Sequence, residues 1–324
     1  MPRHPEARAG MALILALVAV VLAGGLALHL QTKALALARA ERAALEAERL
    51  RAAAAEAARE AMWALAADED LRVDHLGEDW ARPREDVRED GLATWAVAED
   101  AGRFFNWNNL SASNRSGRTS RDILLDLMTF CGDFSPVVRA EALQDFVDAD
   151  GAGSYEADFY RVGDEPFQPP NRELWAPAEL LRVHDFSAEM FRPRARQGPE
   201  DLFGGDLASS TALVPRPLDA PIPVNVNTAG RDVLMGLTGL RQEAAVRSVL
   251  ALRQVQPFES LAVMFMANPE LAAALEGAVG TASTCFRVRA RASLGDRHVA
   301  VLAWVERDPQ TGDVRILQWV EEEG

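Results

Sequence analysis

The sequence predicts an α+β protein with a long N-terminal helix, a helical centre and a C-terminal antiparallel sheet. After Gly25 the chain runs to residue 66 without glycine or proline and consists mainly of strong helix formers. At the other end, the apolar residues of 286–292 alternate with arginines, which is the period-two pattern of a half-buried strand. Leucine-rich stretches of helical character separate these two ends, so helices and strands occupy different parts of the chain.

The composition excludes several kinds of protein. With 324 residues, 48% of them hydrophobic and 26% charged, the chain folds around a core and has room for two domains or one large insertion. The 34 Lys+Arg and 49 Asp+Glu residues give a formal net charge of −15, which disfavours nucleic acid as the main partner. Lys33 is the only lysine, which excludes P-loop phosphate transfer and Schiff-base chemistry.

The N-terminus has the pattern of a membrane anchor. Residues 1–10 are short and polar, and residues 11–30 carry no charged side chain. Twenty helical residues span about 30 Å, the thickness of the hydrocarbon core of a bilayer. Basic residues before this segment and a large acidic body after it predict a tail inside and a body outside. A signal peptide cut at small residues such as Ala23–Gly25 is the alternative.

The helix is predicted to continue beyond the membrane. Residues 34–66 are rich in alanine, leucine, glutamate and arginine, with opposite charges at helical neighbour spacing, as at Arg42 and Glu46. One helix over 11–66 has a length of about 80 Å. We interpret it either as a membrane anchor with a stalk or as a helix that packs lengthwise into a polymer.

The body begins with β segments at 67–119 and continues with a helical region at 120–280. Within the first part, residues 69–92 are predicted to be an exposed connection because they carry many acids and a proline. Residues 92–109 are predicted to form a hairpin that turns near Ala101–Gly102.

The helical region contains several breaks. Residues 121–147 are predicted to form two helices that are interrupted between Gly132 and Pro136. Short helices are expected at 176–191, and the proline-rich segment 193–223 is predicted to be a linker or a long loop.

Residues 228–253 have the pattern of a helix–hairpin–helix unit, in which Thr228 is the predicted N-cap. Such units hold a DNA phosphate on the backbone amides of paired hairpin glycines. Here Gly239 is present, but Arg241 occupies the position of the second glycine. Together with the acidic charge balance this favours a structural role, and a membrane-anchored DNA-binding protein remains the alternative function.

The last part of the chain, 281–324, is predicted to be a three-stranded meander. After the alternating strand, a tight turn at Gly295–Asp296 leads into 298–305, and residues 308–313 turn again into 314–320.

The acidic loop at 148–158 is a candidate metal site. It gathers four carboxylates around two glycines, and several hard oxygen ligands at short range suit Ca²⁺. The four candidate ligands are Asp148, Asp150, Glu156 and Asp158. The loop is not an EF-hand, because Phe159 occupies the twelfth position from Asp148 where that loop needs glutamate. A solvated acidic turn is the alternative interpretation.

The motifs of common catalytic sites do not occur in the sequence, which contains no His-Glu-x-x-His, Gly-x-Ser-x-Gly or Gly-x-Gly-x-x-Gly run. The chain is therefore not expected to be an enzyme, although dispersed catalytic residues are a second alternative. Cys131 and Cys285 are too few for a disulfide scaffold, and the sequence leaves open whether they pair or stay free.

Taken in order, several segments resemble the K-type minor pseudopilins of the bacterial type II secretion system, also called the general secretion pathway. The matching segments are a leader that ends at Gly10, EDAGRFFNWNNL (99–110), DADGAGSYEAD (148–158), NRELWAPAELLRV (171–183), VNVNTAGRDVL (224–234) and the terminal strands. The fifth position after Gly10 is Leu15, where other pilin-like proteins usually carry glutamate and K-type members typically do not.

The resemblance implies a pilin-like fold, with the long transmembrane helix packed on an antiparallel sheet and a large α-helical domain inserted. It implies that prepilin peptidase cleaves between Gly10 and Met11, with N-methylation of the new terminus. It also implies a single pass of the bacterial inner membrane, with the C-terminal body in the periplasm.

The same resemblance implies a function and a set of partners. A K-type subunit caps the pseudopilus tip together with the I-type and J-type minor pseudopilins and supports protein export across the outer membrane. The major pseudopilin and the inner-membrane assembly platform are the further partners, and no nucleic acid is expected. Calcium, bound by the four carboxylates of the acidic loop, is the implied cofactor.

Overall fold

The computed structural model describes residues 5–112, 118–162, 166–192 and 206–323. Its first element is a single helix, α1 (Pro5–Ala66), which confirms the predicted uninterrupted helix. The chain divides into two compact units, residues 1–53 and 54–324. The first unit, where it is described, consists of α1 alone.

Helix α1 carries the segment that suits a membrane. Within Leu13–Ala66 an 18-residue window has a mean hydropathy of 2.6, and none of that window is buried. Its leucines and valines are largely exposed, among them Leu13, Leu17, Val20 and Leu26. Among the described residues, this is the one helix that is long and apolar enough to cross a membrane. A signal sequence near the N-terminus would meet the same criterion.

The described residues of the second unit contain nine strands, and all the longer ones belong to one sheet. In chain order the strands are β1 (Arg84–Val87), β2 (Ala93–Asp100), β3 (Phe105–Asn106), β4 (Thr211–Ala212), β5 (Val224–Asn225), β6 (Val279–Gly280), β7 (Cys285–Leu294), β8 (Arg297–Arg307) and β9 (Val314–Glu323). The main sheet is antiparallel with the order β1-β2-β7-β8-β9. The predicted C-terminal meander is therefore confirmed as β7, β8 and β9.

One face of the sheet is apolar because alternate residues of each strand point into the core. In β7 the buried residues Phe286, Val288, Ala290 and Ala292 alternate with arginines, as predicted. The last turns of α1 also bury one apolar face, made of Ala54, Ala57, Ala58, Ala61, Met62 and Leu65. Arg88 beyond β1 forms an ion pair with Glu56 of this helix, with 3.2 Å between Nη2 and Oε2. These buried faces and the ion pair fit a helix packed on a sheet.

The hairpin predicted for 92–109 is wrong. Strand β2 pairs with β1 and β7, so both of its edges are already occupied. After β2 the Asp100 carboxylate accepts a hydrogen bond from the amide of Gly102 (2.7 Å) and turns the chain away from the sheet. The chain then forms β3, which pairs in parallel with β4. Strand β1 lies inside the segment that the sequence predicted to be irregular.

The region between β2 and β7 is mainly helical. Its helices are α2 (Ser120–Phe130), α3 (Pro136–Val147), α4 (Ala157–Tyr160), α5 (Leu207–Ser210), α6 (Arg231–Leu237), α7 (Glu243–Val255), α8 (Leu261–Ala267) and α9 (Ala272–Leu275). The predicted break between α2 and α3 is confirmed, with Gly132 at a φ of +72°. The short helices expected at 176–191 are 3₁₀ turns at Pro177–Arg182 and Ala188–Phe191.

The predicted linker at 193–223 is described only from residue 206, where it forms α5 and β4. Residues 193–205 of that prediction lie outside the described residues.

Buried asparagines hold these irregular segments together. The Asn108 side chain donates to the carbonyl oxygens of Leu174 (2.9 Å) and Val214 (3.0 Å), and it accepts from the Leu174 amide (2.8 Å). Asn109 makes the same two-way contact with the backbone of Ile222. An amide side chain offers both a hydrogen-bond donor and an acceptor. It can therefore pair with the backbone of a loop as a neighbouring strand would. This explains the asparagine-rich segment of the sequence.

The predicted N-cap of the hairpin unit is wrong. Gly230 is the N-cap of α6, whereas the Thr228 hydroxyl donates to the buried carboxylate of Asp100. The threonine therefore links the inserted region to the end of β2.

Candidate metal centre

Three of the four predicted calcium ligands converge. One carboxylate oxygen from each of Asp148, Asp150 and Glu156 lies within 4.8 Å of the other two. Asp148 ends α3, where its amide donates to the Gln144 carbonyl (2.9 Å), and Glu156 is the residue before α4. The end of α3 and the start of α4 therefore bring the carboxylates of Asp148 and Glu156 close together.

Two oxygens of this group have no hydrogen-bond donor among the described residues. Asp148 Oδ1 and Glu156 Oε1 are both buried and unpaired. An unpaired buried carboxylate oxygen is costly, because it has lost its water without gaining a donor or a cation. A divalent cation bound by oxygen ligands supplies what these atoms lack, so the residues fit Ca²⁺.

The electrostatics of the loop also favour a bound cation. Loss of water, and then the negative charges of Asp150, Glu156 and Asp145, raise the pKa of Asp148 to about 6. Burial and the charges of Asp145 and Asp150 also raise the pKa of Glu156. Full ionisation of the carboxylates in this loop is therefore unfavourable. A bound cation would offset the repulsion between them.

Asp145 is a further negative charge beside this group and was missed from the sequence. It lies in the last turn of α3, is buried, and accepts a hydrogen bond from the Tyr155 amide through Oδ2 (2.8 Å). Its carboxylate occupies the space above Gly153, where a Cβ would lie 2.1 Å from Oδ2. The sequence did contain a signal for Asp145. It is an acidic residue among the apolar residues of α3, one helical turn before Asp148.

The fourth predicted ligand, Asp158, lies apart from the other three. It is exposed in α4 and forms an ion pair with Arg161 at 2.8 Å. Asp158 lies two residues beyond Glu156, in the first turn of α4, and is not one of the residues that converge. The predicted processing residues Gly10 and Met11 both lie within α1, and Met11 is exposed.

A second acidic group, Asp68, Asp74 and Glu78, is already supplied with donors. Arg307 bonds Asp68 through Nη1 (2.7 Å) and Asp74 through Nη2 (2.6 Å). Glu78 accepts from the His75 amide and from Trp80 Nε1, both at 2.8 Å. The guanidinium supplies the positive charge here, so we interpret the group as a buried ion-pair network.

The two cysteines are both buried, form no disulfide with each other, and lie in separate hydrophobic clusters. The sequence left open whether the two cysteines pair, and in this structure they do not pair with each other.

The hairpin unit forms as predicted, with α6 and α7 joined by a turn in which Gly239 (φ +67°) and Leu240 (φ +63°) are left-handed. Arg118 donates to the carbonyl oxygens of Gly236 (2.8 Å) and Leu237 (2.9 Å) and so ties the end of α6 to the segment before α2. Gly236 itself packs against Leu127 of α2, where a Cβ would lie 2.9 Å from the leucine Cβ. The unit thus serves the packing of the helical region.

Comparisons with known proteins agree with this architecture. No family model matches the chain. Type II secretion system protein K of Pseudomonas aeruginosa is 26% identical over 257 residues, which cover 76% of this chain and 70% of that protein.

Among solved structures, the chain matches one from the GspK-GspI-GspJ complex of the enterotoxigenic Escherichia coli type 2 secretion system. The TM-score is 0.66 at 20% identity, and the match covers 88% of this chain and 99% of the other. This likeness shows the fold. The long helix, the antiparallel sheet and the inserted helical segments, on which the predicted fold class rests, are therefore confirmed together.

The resemblance that the sequence motifs predict, to the K-type minor pseudopilins of type II secretion, is confirmed by a relative in sequence and by the fold of a solved structure.

Proposed function

We propose that this chain is a minor pseudopilin of the type II secretion system that caps the pseudopilus tip and so supports protein export across the outer membrane. The observation that carries the proposal is the similarity to protein K along 76% of the chain. The solved structure with the same fold bears the name of a complex of three Gsp proteins, K, I and J. We therefore propose the I-type and J-type minor pseudopilins as direct partners.

The architecture supports a position at the end of a filament. One long apolar helix can pack lengthwise beside the helices of other subunits. Residues 101–284 are inserted between β2 and β7, which are neighbours in the sheet. An insertion of that size enlarges the head of the subunit. A large head leaves less room for another subunit above it, which suits a cap.

The location follows from the single span. The single apolar helix and the similarity to protein K support an inner-membrane protein with its body in the periplasm. Cleavage by prepilin peptidase after Gly10 and N-methylation of Met11 belong to the same proposal. So do contacts with the major pseudopilin and with the inner-membrane assembly platform. The proposed role is structural.

We also propose that the cluster of Asp148, Asp150 and Glu156 binds calcium, with Asp145 supporting it from α3. The unpaired oxygens of Asp148 and Glu156 support this proposal. The ion would neutralise a loop whose carboxylates repel one another and would join the end of α3 to the start of α4.

The mature N-terminus is the first experiment. Intact and peptide masses of the protein from its native membranes are expected to show a chain that starts at N-methylated Met11. A start at Met1, or a start beyond the apolar segment, would remove the pseudopilin proposal.

The tip position needs a second experiment. Gold-labelled antibody against the body, applied to isolated pseudopili, is expected to mark one end of each filament. Co-purification with both minor pseudopilins is expected from the same membranes. Label along the whole filament would contradict capping while leaving a pseudopilin role intact.

A further inference from the structure

Three hydrogen bonds hold the inserted region to the end of β2. Asp100, the last residue of β2, is completely buried, and its carboxylate accepts from the Gly102 amide (2.7 Å) and from Asn225 Nδ2 (3.0 Å). The Thr228 hydroxyl donates to the same carboxylate. Asn225 and Thr228 lie 125 and 128 residues further along the chain. Asp100 therefore fixes a distant part of the inserted region against the sheet.

A second buried acid, Asp74, lies beside this carboxylate. Asn225 joins the two acids, because its Nδ2 also donates to the Asp74 carbonyl oxygen (3.0 Å). The Asp74 carboxylate itself is paired with the buried guanidinium of Arg307, with 2.6 Å between Oδ1 and Nη2. The same guanidinium binds Asp68 at 2.7 Å. The positive charge of Arg307 is thus already shared between two carboxylates.

The charges at this junction do not balance. Among the described residues, Arg307 is the one cation in contact with the carboxylates of Asp68, Asp74 and Asp100, so full ionisation would leave an excess of negative charge. Every hydrogen bond that a described residue donates to Asp100 comes from a neutral group. A buried carboxyl that has no cation and lies beside an ionised carboxylate favours its protonated form. Since Arg307 already pairs with Asp74, the proton belongs on Asp100.

A buried hydroxyl lies next to the atom that would carry this proton. A Cβ placed on Gly102 would meet both Ser283 Oγ and Asp100 Oδ1, so these two atoms share one side of the glycine. Ser283 Oγ is buried and has no hydrogen-bond partner among the described residues. A carboxylic acid at Asp100 can donate to this oxygen. An ionised Asp100 could accept from the same hydroxyl, so the charge balance, and not the serine, assigns the proton.

The two acids also titrate as a pair. Burial raises the pKa of Asp100, whereas its hydrogen bonds from neutral donors act in the opposite direction. Burial raises the pKa of Asp74 to about 7 although Arg307 lowers it, and the negative charge of Asp100 raises it further. Each carboxylate therefore makes ionisation of the other less favourable, and the pair keeps a proton near neutral pH.

Other charged groups near the junction have partners of their own. The titratable groups on the elements that meet here are Asp68, His75 and Glu78 after α1, Glu99 on β2, Cys285 on β7, Arg253 on α7 and Arg307 on β8. Glu99 forms ion pairs with Arg103 and Arg287. Arg253 donates to the carbonyl oxygen of Val226 (2.6 Å). These cations bind other acceptors and leave the buried acid without a counter-charge.

We propose that Asp100 is a protonated carboxylic acid at neutral pH and that loss of this proton at alkaline pH loosens the inserted region from the sheet. With the proton in place, Asp100 is a neutral acceptor for Asn225 and Thr228. Without it, a second negative charge stands beside Asp74 in the interior. The inference goes beyond the tip-capping proposal, because it concerns the joint between β2 and the inserted region and not the filament or the acidic loop.

Infrared difference spectroscopy tests the protonation state. The full chain in detergent, with ¹³C-labelled aspartate carboxyls and a fixed calcium concentration, is compared with the unlabelled chain at pH 7. We expect a protonated carboxyl band that shifts with the label and that disappears in Asp100→Asn. Asp158→Asn is the matched control, because Asp158 is an exposed aspartate outside the junction, and it is expected to keep the band.

Hydrogen exchange measures the loosening. In peptides that cover 224–237, exchange corrected for the intrinsic chemical rate is expected to be about tenfold or more faster at pH 9 than at pH 7. The reason is that an opening that releases one proton becomes up to about tenfold more favourable with each pH unit. Both values lie above the pKa of Asp148, which is about 6, so the acidic loop does not supply this change.

Variants assign the change to Asp100. Asp100→Asn carries no proton that can be lost, so its corrected exchange is expected to be the same at both pH values. Cys285→Ala is a control for the neighbouring thiol, which also titrates in this range, and it is expected to keep the wild-type change. The wild-type comparison between pH 7 and pH 9 needs no substitution, so it tests the proposal even where Asp100→Asn does not fold.

Three outcomes would overturn the proposal. They are a protonated band that Asp100→Asn leaves in place, a wild-type exchange rate in 224–237 that does not change between pH 7 and pH 9, and a change that Cys285→Ala abolishes. None of these outcomes bears on the N-terminal processing or on the filament end, so a failure here is distinguishable from a failure of the pseudopilin proposal.

Discussion

Arg307 at the end of β8 and Asp74 in the segment after α1 form a buried ion pair, with 2.6 Å between Nη2 and Oδ1. Both side chains are almost completely buried, and the same guanidinium also binds Asp68 at 2.7 Å. The Asp74 carboxylate accepts from the Ser283 amide as well (2.6 Å). One arginine thus joins the exit of α1 to the C-terminal strands.

Removal of this arginine is expected to be severe. Arg307→Ala leaves two buried carboxylates without a counter-charge, and breaking a buried pair in this way costs about 3–5 kcal/mol. Arg315→Ala is the matched control, because Arg315 is 73% exposed in its pair with Glu306 and such pairs contribute about 0–1 kcal/mol. Denaturant unfolding of the full chain in detergent measures both. A loss with Arg307→Ala of about 1 kcal/mol or less, the size expected for the exposed pair, would show that the buried network is dispensable.

The glycines of the acidic loop differ in their tolerance of a side chain. Gly153→Ala places a Cβ 2.1 Å from the Asp145 carboxylate, so the loop must shift and a loss of about 1–3 kcal/mol is expected. Gly151→Ala meets nothing within 4 Å and is expected to be neutral. Thermal unfolding with calcium and with chelator separates the two variants. A tolerated Gly153→Ala would contradict the tight packing of Asp145 against the loop.

The contribution of Asp148 to stability is expected to depend on pH in opposite directions with and without calcium. Because the folded pKa of Asp148 is raised from 3.8 to about 6, the folded chain binds the extra proton in this window. Without calcium, the contribution of this group to stability therefore falls as pH rises from about 4 to about 6. Calcium needs the deprotonated carboxylate, so its affinity rises over the same window.

Melting temperatures at pH 5 and pH 7, each with calcium and with chelator, measure both effects. At pH 7, calcium at 100 times its dissociation constant is expected to stabilise the chain by about 2.7 kcal/mol. Asp148→Asn and Glu156→Gln are expected to abolish most of this gain, whereas Asp158→Asn, outside the cluster, keeps it. A loss with Asp158→Asn equal to that with Asp148→Asn would mean that the ligand set is different.

Leu15 is expected to matter for the place of the subunit in the filament. In other pilins, the glutamate at this position is thought to form an ion pair with the N-terminal amine of a neighbouring subunit. A subunit at the tip has no neighbour above it and does not need this ion pair. Leu15→Glu is expected to insert into the membrane at a cost of about 3 kcal/mol at most, and to reduce secretion. Leu15→Gln, which has no charge to pair, is the control. Unchanged secretion with Leu15→Glu would remove this support for capping.

The hairpin unit is expected not to bind DNA. Non-specific affinity depends on positive charge, and this chain is strongly acidic. Fluorescence anisotropy with duplex DNA at about 50 mM salt, where such binding is strongest, measures this. Salt-sensitive binding that Gly239→Ala abolishes would favour the DNA-binding alternative, because the left-handed φ of +67° there is strained for alanine.

The sequence by itself determined the elements whose signals are local. The unbroken run of helix formers predicted α1, the glycine and proline between α2 and α3 predicted their break, and the alternating arginines predicted β7. Ordered segments also predicted the K-type resemblance, and of the four carboxylates predicted as ligands the structure brings three together. In each case, neighbours within a few residues carry the information, since helix and strand periods are short.

The tertiary structure decided everything that depends on residues far apart in the chain. Strand β2 pairs with β7 across the whole inserted region, which is why a local hairpin was the wrong prediction. The buried partners of Thr228 and Arg307, and the place of Asp145 above Gly153, likewise come from packing. Sequence period and spacing do not determine which distant residues become partners. A contact between two distant polar groups becomes favourable only after the fold has buried both groups and removed their water.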